Sequence, residues 1–349
     1  MAASGRAGRR RQSLYGAVLA AAVFSAPAMA SNVAPLSLPS VATYEQALTD
    51  YERGNISAAL LFAKAAGEAG DVRAQVLAGH IYRNGEAGVP NLYEAAKWYR
   101  KAALLGDDDA MVALGEMGYK SQGGLTPEDA KTYWTRAAQA GRQDAMRALA
   151  DLNIKGLGVP RNQAEGVDWL ILAADGGDVK AAKRMGDLYI DSAPETALAY
   201  YEKAAAAGDA DAAYTAAIMY AENLAIKPNQ GVATKLMEQA ARGGHPAAMA
   251  DYGLLIFQGI AGDGTPATAA KWFEKAARAD DDQGKFFYAY SLAKGDGVSQ
   301  DFEAAYRWII QTDKSGIPDY DKDIDTLRSG LEGKLSAQTR ARIAAQIGK

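Results

Sequence analysis

Two short elements in the second half of the chain carry residue types that nucleophilic acyl-transfer chemistry uses. Ser291-Leu292-Ala293-Lys294 matches S-x-x-K, and Lys314-Ser315-Gly316 matches K-[ST]-G, two elements of serine β-lactamases. The register around them argues against a nucleophile. Ser291 stands where other segments place Ile81, Leu152 or Leu188 on an apolar side, Gly316 belongs to a periodic glycine series, and the S-D-N element is absent. Metal chemistry is the second candidate. Counted from Asp321, acids occupy positions 1, 3, 5 and 12 of an EF-hand-type calcium loop that ends at Glu332. The glycine that such a loop turns on is replaced by Thr326, and Ile324, Leu327, Leu331 and Leu335 recur at helical spacing. That spacing predicts a helix with carboxylates along its exposed side, indifferent to calcium.

The two histidines, His80 and His245, do not make a metal site on their own. His245 follows a glycine at the place that Asp71, Asp107 and Asp178 take elsewhere, and reads as a helix N-cap. His80 lies beside Gly79 on the opposite side from the packed positions, where it can touch a partner. The tryptophans Trp98, Trp134, Trp169, Trp272 and Trp308 suggest a sugar-stacking ladder at first sight. All stand seven or eight residues before a recurrent glycine position, where other segments have Tyr, Leu or Met, so they read as core. Cysteine is absent, which excludes disulfides, thiolate-bound zinc, iron–sulfur clusters and cysteine nucleophiles. No metal and no cofactor are expected.

The elements that position these residues follow a repeat of about 36 residues. Paired small residues precede a glycine at Ala102-Ala103…Gly106, Ala137-Ala138…Gly141, Ala173-Ala174…Gly177, Ala204-Ala205…Gly208 and Ala240-Ala241…Gly244. Gly70 starts the series, Asp280 takes one glycine slot, and Gly316 ends it, at intervals of 36, 35, 36, 31, 36, 36 and 36. Small residues recur four and nine places after each corner, for example Ala74 and Gly79 or Ala110 and Gly115. A Gly/Pro-bearing loop such as Gly85–Pro90 then leads into a second helix such as Leu92–Leu104. Eight places before each corner stands a large residue: Phe62, Trp98, Tyr133, Trp169, Tyr200, Leu236, Trp272 and Trp308. No strand-like alternation appears. The pattern predicts an all-α solenoid of stacked helical hairpins.

The stretches GHIYRNGEAGVPNLYEAAKWYRKAALLGD, ADLNIKGLGVPRNQAEGVDWLILAADGGD and YSLAKGDGVSQDFEAAYRWI resemble the SEL-1-like repeat family, relatives of the tetratricopeptide repeat. The resemblance covers seven units over residues 71–316 and implies a right-handed superhelix that serves as a protein-binding scaffold without catalytic activity. It also implies, for exported bacterial members, adaptor roles in envelope signalling or exopolysaccharide production. Residues 41–70 read as an N-terminal helical hairpin and 317–349 as capping helices, which an open solenoid end needs. The unit between Gly177 and Gly208 is short because Asp191-Ser192-Ala193-Pro194 replaces the glycine loop.

Ahead of the repeats, Arg6, Arg9, Arg10 and Arg11, the apolar run Leu14–Phe24 and Ala28-Met29-Ala30 form the three parts of a cleavable export signal over residues 1–30. Eleven apolar residues are too few to span about 30 Å of hydrocarbon, so no membrane insertion of the mature chain is expected. Residues 31–40 read as a linker. Cleavage removes four arginines and no acid, taking the formal net charge from −4 to −8 and disfavouring nucleic acid. The expected location is periplasmic, or secreted.

At about 100° per residue, the places three, six, ten and thirteen after each corner fall opposite the packed face. By the resemblance they line the inner, concave wall. Early units are polar there, with Arg73, His80, Arg83, Arg147 and Lys183 among acids; later units turn apolar, with Tyr214, Ile218, Leu254, Phe257, Phe286 and Tyr290. An exposed apolar patch marks an interaction site. The sequence therefore points to a scaffold that docks an envelope protein on this wall. A polysaccharide-binding adaptor, with Tyr214 and Tyr290 as its aromatics, is the alternative, and a β-lactamase-like hydrolase a more distant one.

Overall fold

Each helix pair is joined to the next at a corner whose backbone is left-handed. Gly70, Gly106, Gly141, Gly177, Gly208 and Gly244 have φ between 92° and 97°, a region that costs a side-chain-bearing residue energy and glycine little. The amide after the corner donates to a carbonyl five residues back, as from Asp107 to Ala102 (3.1 Å) and from Asp178 to Ala173 (2.9 Å), which closes the helix end. The same residue then starts the next helix. The carboxylates of Asp71, Asp107, Asp178, Asp209 and Asp281 accept from the amide three places on, at 2.7–3.1 Å, and His245 Nδ1 does the same from Ala248 at 3.1 Å. Stop and start are thus encoded in two adjacent residues. Asp280 is the exception in the glycine slot: it holds φ 66°, and its carboxylate pairs at 2.7 Å with the buried Lys285 ammonium.

The computed structural model describes residues 42–221 and 226–348; the predicted signal and linker lie outside them. Among the described residues there are eighteen helices and no strand. The first pair is α1 (Tyr44–Glu52) and α2 (Ile56–Glu68). Then come α3 (Val72–Asn84), α4 (Leu92–Leu104), α5 (Asp108–Tyr119), α6 (Pro127–Gln139), α7 (Gln143–Lys155), α8 (Gln163–Asp175), α9 (Val179–Tyr189) and α10 (Pro194–Ala206). The rest are α11 (Ala210–Ala221), α12 (Gln230–Arg242), α13 (Pro246–Phe257), α14 (Pro266–Arg278), α15 (Asp282–Lys294), α16 (Phe302–Ile309), α17 (Pro318–Glu332) and α18 (Ala337–Gln346). Helices pack on their neighbours in chain order, and no extensive contact reaches beyond the second neighbour. The core is accordingly a series of five apolar clusters along the chain rather than one centre. That is the contact pattern of an α-solenoid.

Small and large residues interlock at two depths. The large residue eight places before a corner faces the preceding pair: Trp98 lies against Gly67 of α2, and Trp169 and Leu236 each bridge two neighbouring clusters. The residue one place on is also deeply buried, being Tyr99, Trp134, Leu170, Tyr201, Met237, Phe273 and Ile309, each at most 5% exposed, and from α6 onward it is the more buried of the two. Of the tryptophans read as core, Trp98 and Trp134 are fully buried, while Trp169, Trp272 and Trp308, with Tyr133, Tyr200 and Leu236, are half-buried and pack against the clusters from their edges. The residue seven places before a corner meets the small residue nine places after the corner that begins its own hairpin. A Cβ on Gly79, Gly115, Gly186 or Gly253 would fall within 2.9 Å of Tyr99, Trp134, Tyr201 or Phe273 respectively. Where the deep residue is aliphatic (Leu170, Met237, Ile309), the small partner in the same register is alanine: Ala150, Ala217, Ala289. Ring goes with glycine and aliphatic side chain with alanine, which keeps the joint volume nearly constant, as close packing demands.

After Gly316 the repeat stops and α17 and α18 cover the last hairpin. Ile324, Leu331 and Ile343 are at most 2% exposed and join Phe286, Ala305 and Ile309 in one cluster. The acid-rich segment from Asp321 to Glu332 is helical throughout. Its carboxylates are employed locally: Asp321 accepts from the Ser315 and Gly316 amides at 2.8 and 3.1 Å, and Asp325 pairs with Lys314 at 2.6 Å. The two suggestive motifs of this region, the K-S-G element and the acidic series, therefore bind one another. Millimolar calcium is expected to leave the melting temperature unchanged. A saturable upward shift, abolished by Asp321→Ala, would show that the acids hold the ion after all.

Candidate functional site

The polar stretch of the predicted wall is laced from repeat to repeat. Arg73 donates to Glu45 at 2.9 Å, Arg83 to Glu116 at 2.6 Å and Arg147 to Asp178 at 2.9 Å, while Lys183 pairs with Asp211. Each pair joins adjacent hairpins, so these cations have their charge answered within the chain. Pairs as open to solvent as Arg73 with Glu45 add little to stability. His80 is exposed, with its Nε2 2.9 Å from the Asn84 amide nitrogen and the ring edge-on to Tyr51. It is well placed for contact, yet it belongs to a separate stretch from the apolar residues.

Tyr214 and Ile218, on α11, are half-buried and pack against their neighbours. The Tyr214 ring stacks on His245, centroids 4.3 Å apart, and its hydroxyl donates to Asp251 at 3.1 Å. One face of that ring is therefore taken. Asp251 also accepts from Gln283 at 3.1 Å, and burial raises its carboxyl above the usual range against the pull of these two hydrogen bonds.

Four of the named residues converge. Leu254 and Phe257 from α13 and Phe286 and Tyr290 from α15 line one cleft of 600 Å³, closed on its far side by α17. Phe257 and Tyr290 are exposed at 43% and 36%, Leu254 is half-buried, and Phe286 is only 8% exposed. Burial of Phe286 corrects its reading as a surface anchor. Its ring meets Phe287 and Tyr320 edge-on at centroid distances of 5.3 and 5.2 Å, so α17 has already docked on that part of the wall. Ser291 is buried at 3% beside the cleft, and the Lys294 ammonium lies 5.8 Å from the Tyr290 ring centroid. This places the S-x-x-K residues in packing and at a rim.

The residues that α17 adds are Asp323, Thr326, Leu327, Gly330 and Leu331, with Lys334 just beyond its end. Their spacing marks a helix in the sequence, yet nothing in it tells which earlier helix they would face. Among the described residues no group of three or more His, Asp or Glu is arranged to hold a metal, and no helix is long and apolar enough to cross a membrane. The cleft offers apolar surface and a charged rim, which is the chemistry of binding.

Known proteins share this architecture. The Sel1 repeat family matches residues 72–107, 108–141, 143–178, 180–209, 210–245, 246–281 and 283–311. No curated protein matches the chain. Among solved structures, a Sel1 repeat protein from Oxalobacter formigenes is 24% identical, with 81% of this chain and 86% of that one covered at a TM-score of 0.64. A protective antigen of uropathogenic Escherichia coli strains with an SLR fold is 21% identical over 87% of this chain and 82% of its own, at a TM-score of 0.47. With seven family matches in register with seven helical hairpins, the chain belongs to the Sel1 repeat family.

Proposed function

We propose that the chain is an exported scaffold that docks a protein partner of the cell envelope in the cleft between α13, α15 and α17, and that it catalyses no reaction. Sel1 repeats generally serve as non-catalytic scaffolds for protein–protein interaction. The observation that carries the reading is the cleft itself, 600 Å³ in volume and mostly apolar in its lining, with Phe257 and Tyr290 left exposed at its edge. Exposed aromatic side chains at a concavity are the usual anchors of an interface. The export signal over residues 1–30 supports the periplasmic or secreted location.

Crosslinking capture from the native envelope tests the docking reading. The wild-type chain is expected to retain a protein that Phe257→Asp loses at unchanged melting temperature. Equal capture by both chains, or retention of polysaccharide in place of protein, would move the function elsewhere. The location has its own check. N-terminal sequencing of the chain recovered from cells is expected to start at Ser31, and a start at Met1 would remove the periplasmic assignment.

A further inference from the structure

Ten glycines lie within the described helices, and they divide sharply. A Cβ on Gly67, Gly79, Gly115, Gly118, Gly166, Gly186, Gly253 or Gly284 would meet a neighbouring atom at 2.9 Å or less. In this molecule a glycine inside a helix marks the place where another element comes close. Gly231, in the first turn of α12, meets only a side-chain atom of Asn229 at 3.7 Å. Gly330 meets nothing within 4 Å, although it stands in the last turn of α17 and lines the cleft. Glycine weakens a helix relative to alanine, and here no contact within the chain gives it a packing purpose. The space in front of it is open, in the cleft that Phe286 and Phe287 also line.

Charge marks the same place. Lys294 and Lys334 both line the cleft, are exposed and make no ion pair among the described residues, unlike the lysines and arginines of the polar wall. Asp323 is the one carboxylate of the lining. The wall has, moreover, one resident occupant whose chemistry is on view. Helix α17 lays Ile324, Leu327 and Leu331 toward the last hairpins and carries five acidic residues against two basic ones. An acidic amphipathic helix is thus what this surface already receives.

We propose that the cleft over Gly330 takes a second acidic amphipathic segment, supplied by the protein partner, whose apolar side chains enter beside Phe257 and Tyr290 and whose carboxylates meet Lys294 and Lys334. The inference rests on the protein-partner reading and specifies the partner's chemistry. It is tested on the purified full chain with a labelled helical peptide carrying leucine at i, i+3 and i+7 between glutamates, and a twin with lysine for each glutamate. The glutamate peptide is expected to bind saturably and roughly ten-fold or more tightly than its twin. Lys294→Glu with Lys334→Glu should reverse that preference. Gly330→Leu should abolish binding without lowering the melting temperature, because the added side chain enters open space. Equal affinity for both peptides, an unreversed preference, or full binding by Gly330→Leu would overturn the proposal. Binding of hexadecanoate with neither peptide bound would give the cleft to a lipid and overturn it as well. If Phe257→Asp loses its captured envelope protein while the peptides bind equally, the scaffold reading stands and the acidic segment falls.

Discussion

Replacing Gly115 by alanine is expected to destabilise the chain by about 2 kcal/mol, although intrinsic helix propensity alone favours alanine by about 1 kcal/mol. The new Cβ would lie 2.2 Å from Trp134 Nε1 and 2.3 Å from its Cδ1. The indole is only 4% exposed and enclosed by α5, α6 and the adjoining helices, so it cannot swing aside into solvent. Overpacking of a well-filled core costs about 1–3 kcal/mol, and a clash with rigid ring atoms belongs at the upper end. The alanine–aliphatic pairing of Ala150 with Leu170 provides the remedy within the same molecule. Trp134→Leu alone should cost roughly 2–4 kcal/mol through the cavity it leaves. Adding Gly115→Ala to that variant should then be neutral or stabilising, a coupling of about 2–3 kcal/mol. Urea melts of the four chains measure it. Equal costs of Gly115→Ala in both backgrounds would mean that the two positions do not share a volume.

Phe286→Ala is expected to cost about 3–5 kcal/mol, whereas Phe257→Ala should stay within about 0.5 kcal/mol of the wild type. Both side chains fall in the arc of the predicted wall, six places after one corner and thirteen after another, so the contrast tests what the last helices do. Phe286 is 8% exposed and sits between Phe287 and Tyr320, in edge-to-face contacts that add about 0.5–1.5 kcal/mol beyond area burial. Phe257 is 43% exposed with the open cleft in front of it. A small effect of Phe286→Ala would mean that α17 does not rest on the wall in solution. Tyr320→Ala gives an independent reading, because it removes the cover and leaves the wall itself intact. Its loss should be smaller than that of Phe286→Ala, since its hydroxyl makes one long contact, 3.4 Å to the Asp282 carbonyl.

Much of this architecture was legible from residue types and spacing because the interactions behind it are local. The corner glycines, the cap one residue later and the small residue four places on belong to one turn of backbone, and local hydrogen bonding dictates each of them. Even His245 was readable as a cap, since its Nδ1 does what a carboxylate oxygen does in the sister repeats. Periodicity likewise put Leu254, Phe257, Phe286 and Tyr290, which line one cleft, on one side of their helices, because a helical wheel fixes the direction in which a side chain leaves its own axis.

A wheel says nothing about what stands opposite. The residues seven and eight places before a corner lie only about 100° apart, and both point inward. Which is buried more deeply depends on the second helix each one meets: Trp98 presses on Gly67 of the preceding pair, Tyr99 on Gly79 of its own. The apolar wall shows the same limit at larger scale. Leu254, Phe257, Phe286 and Tyr290 fall in the same arc of the wheel, yet α17, more than thirty residues beyond Phe286 at its closest cleft-lining position, covers one and leaves a cleft beside two others. That choice rests on non-local contacts among α13, α15 and α17, and the cleft that Gly330 lines exists only once those helices are assembled in space.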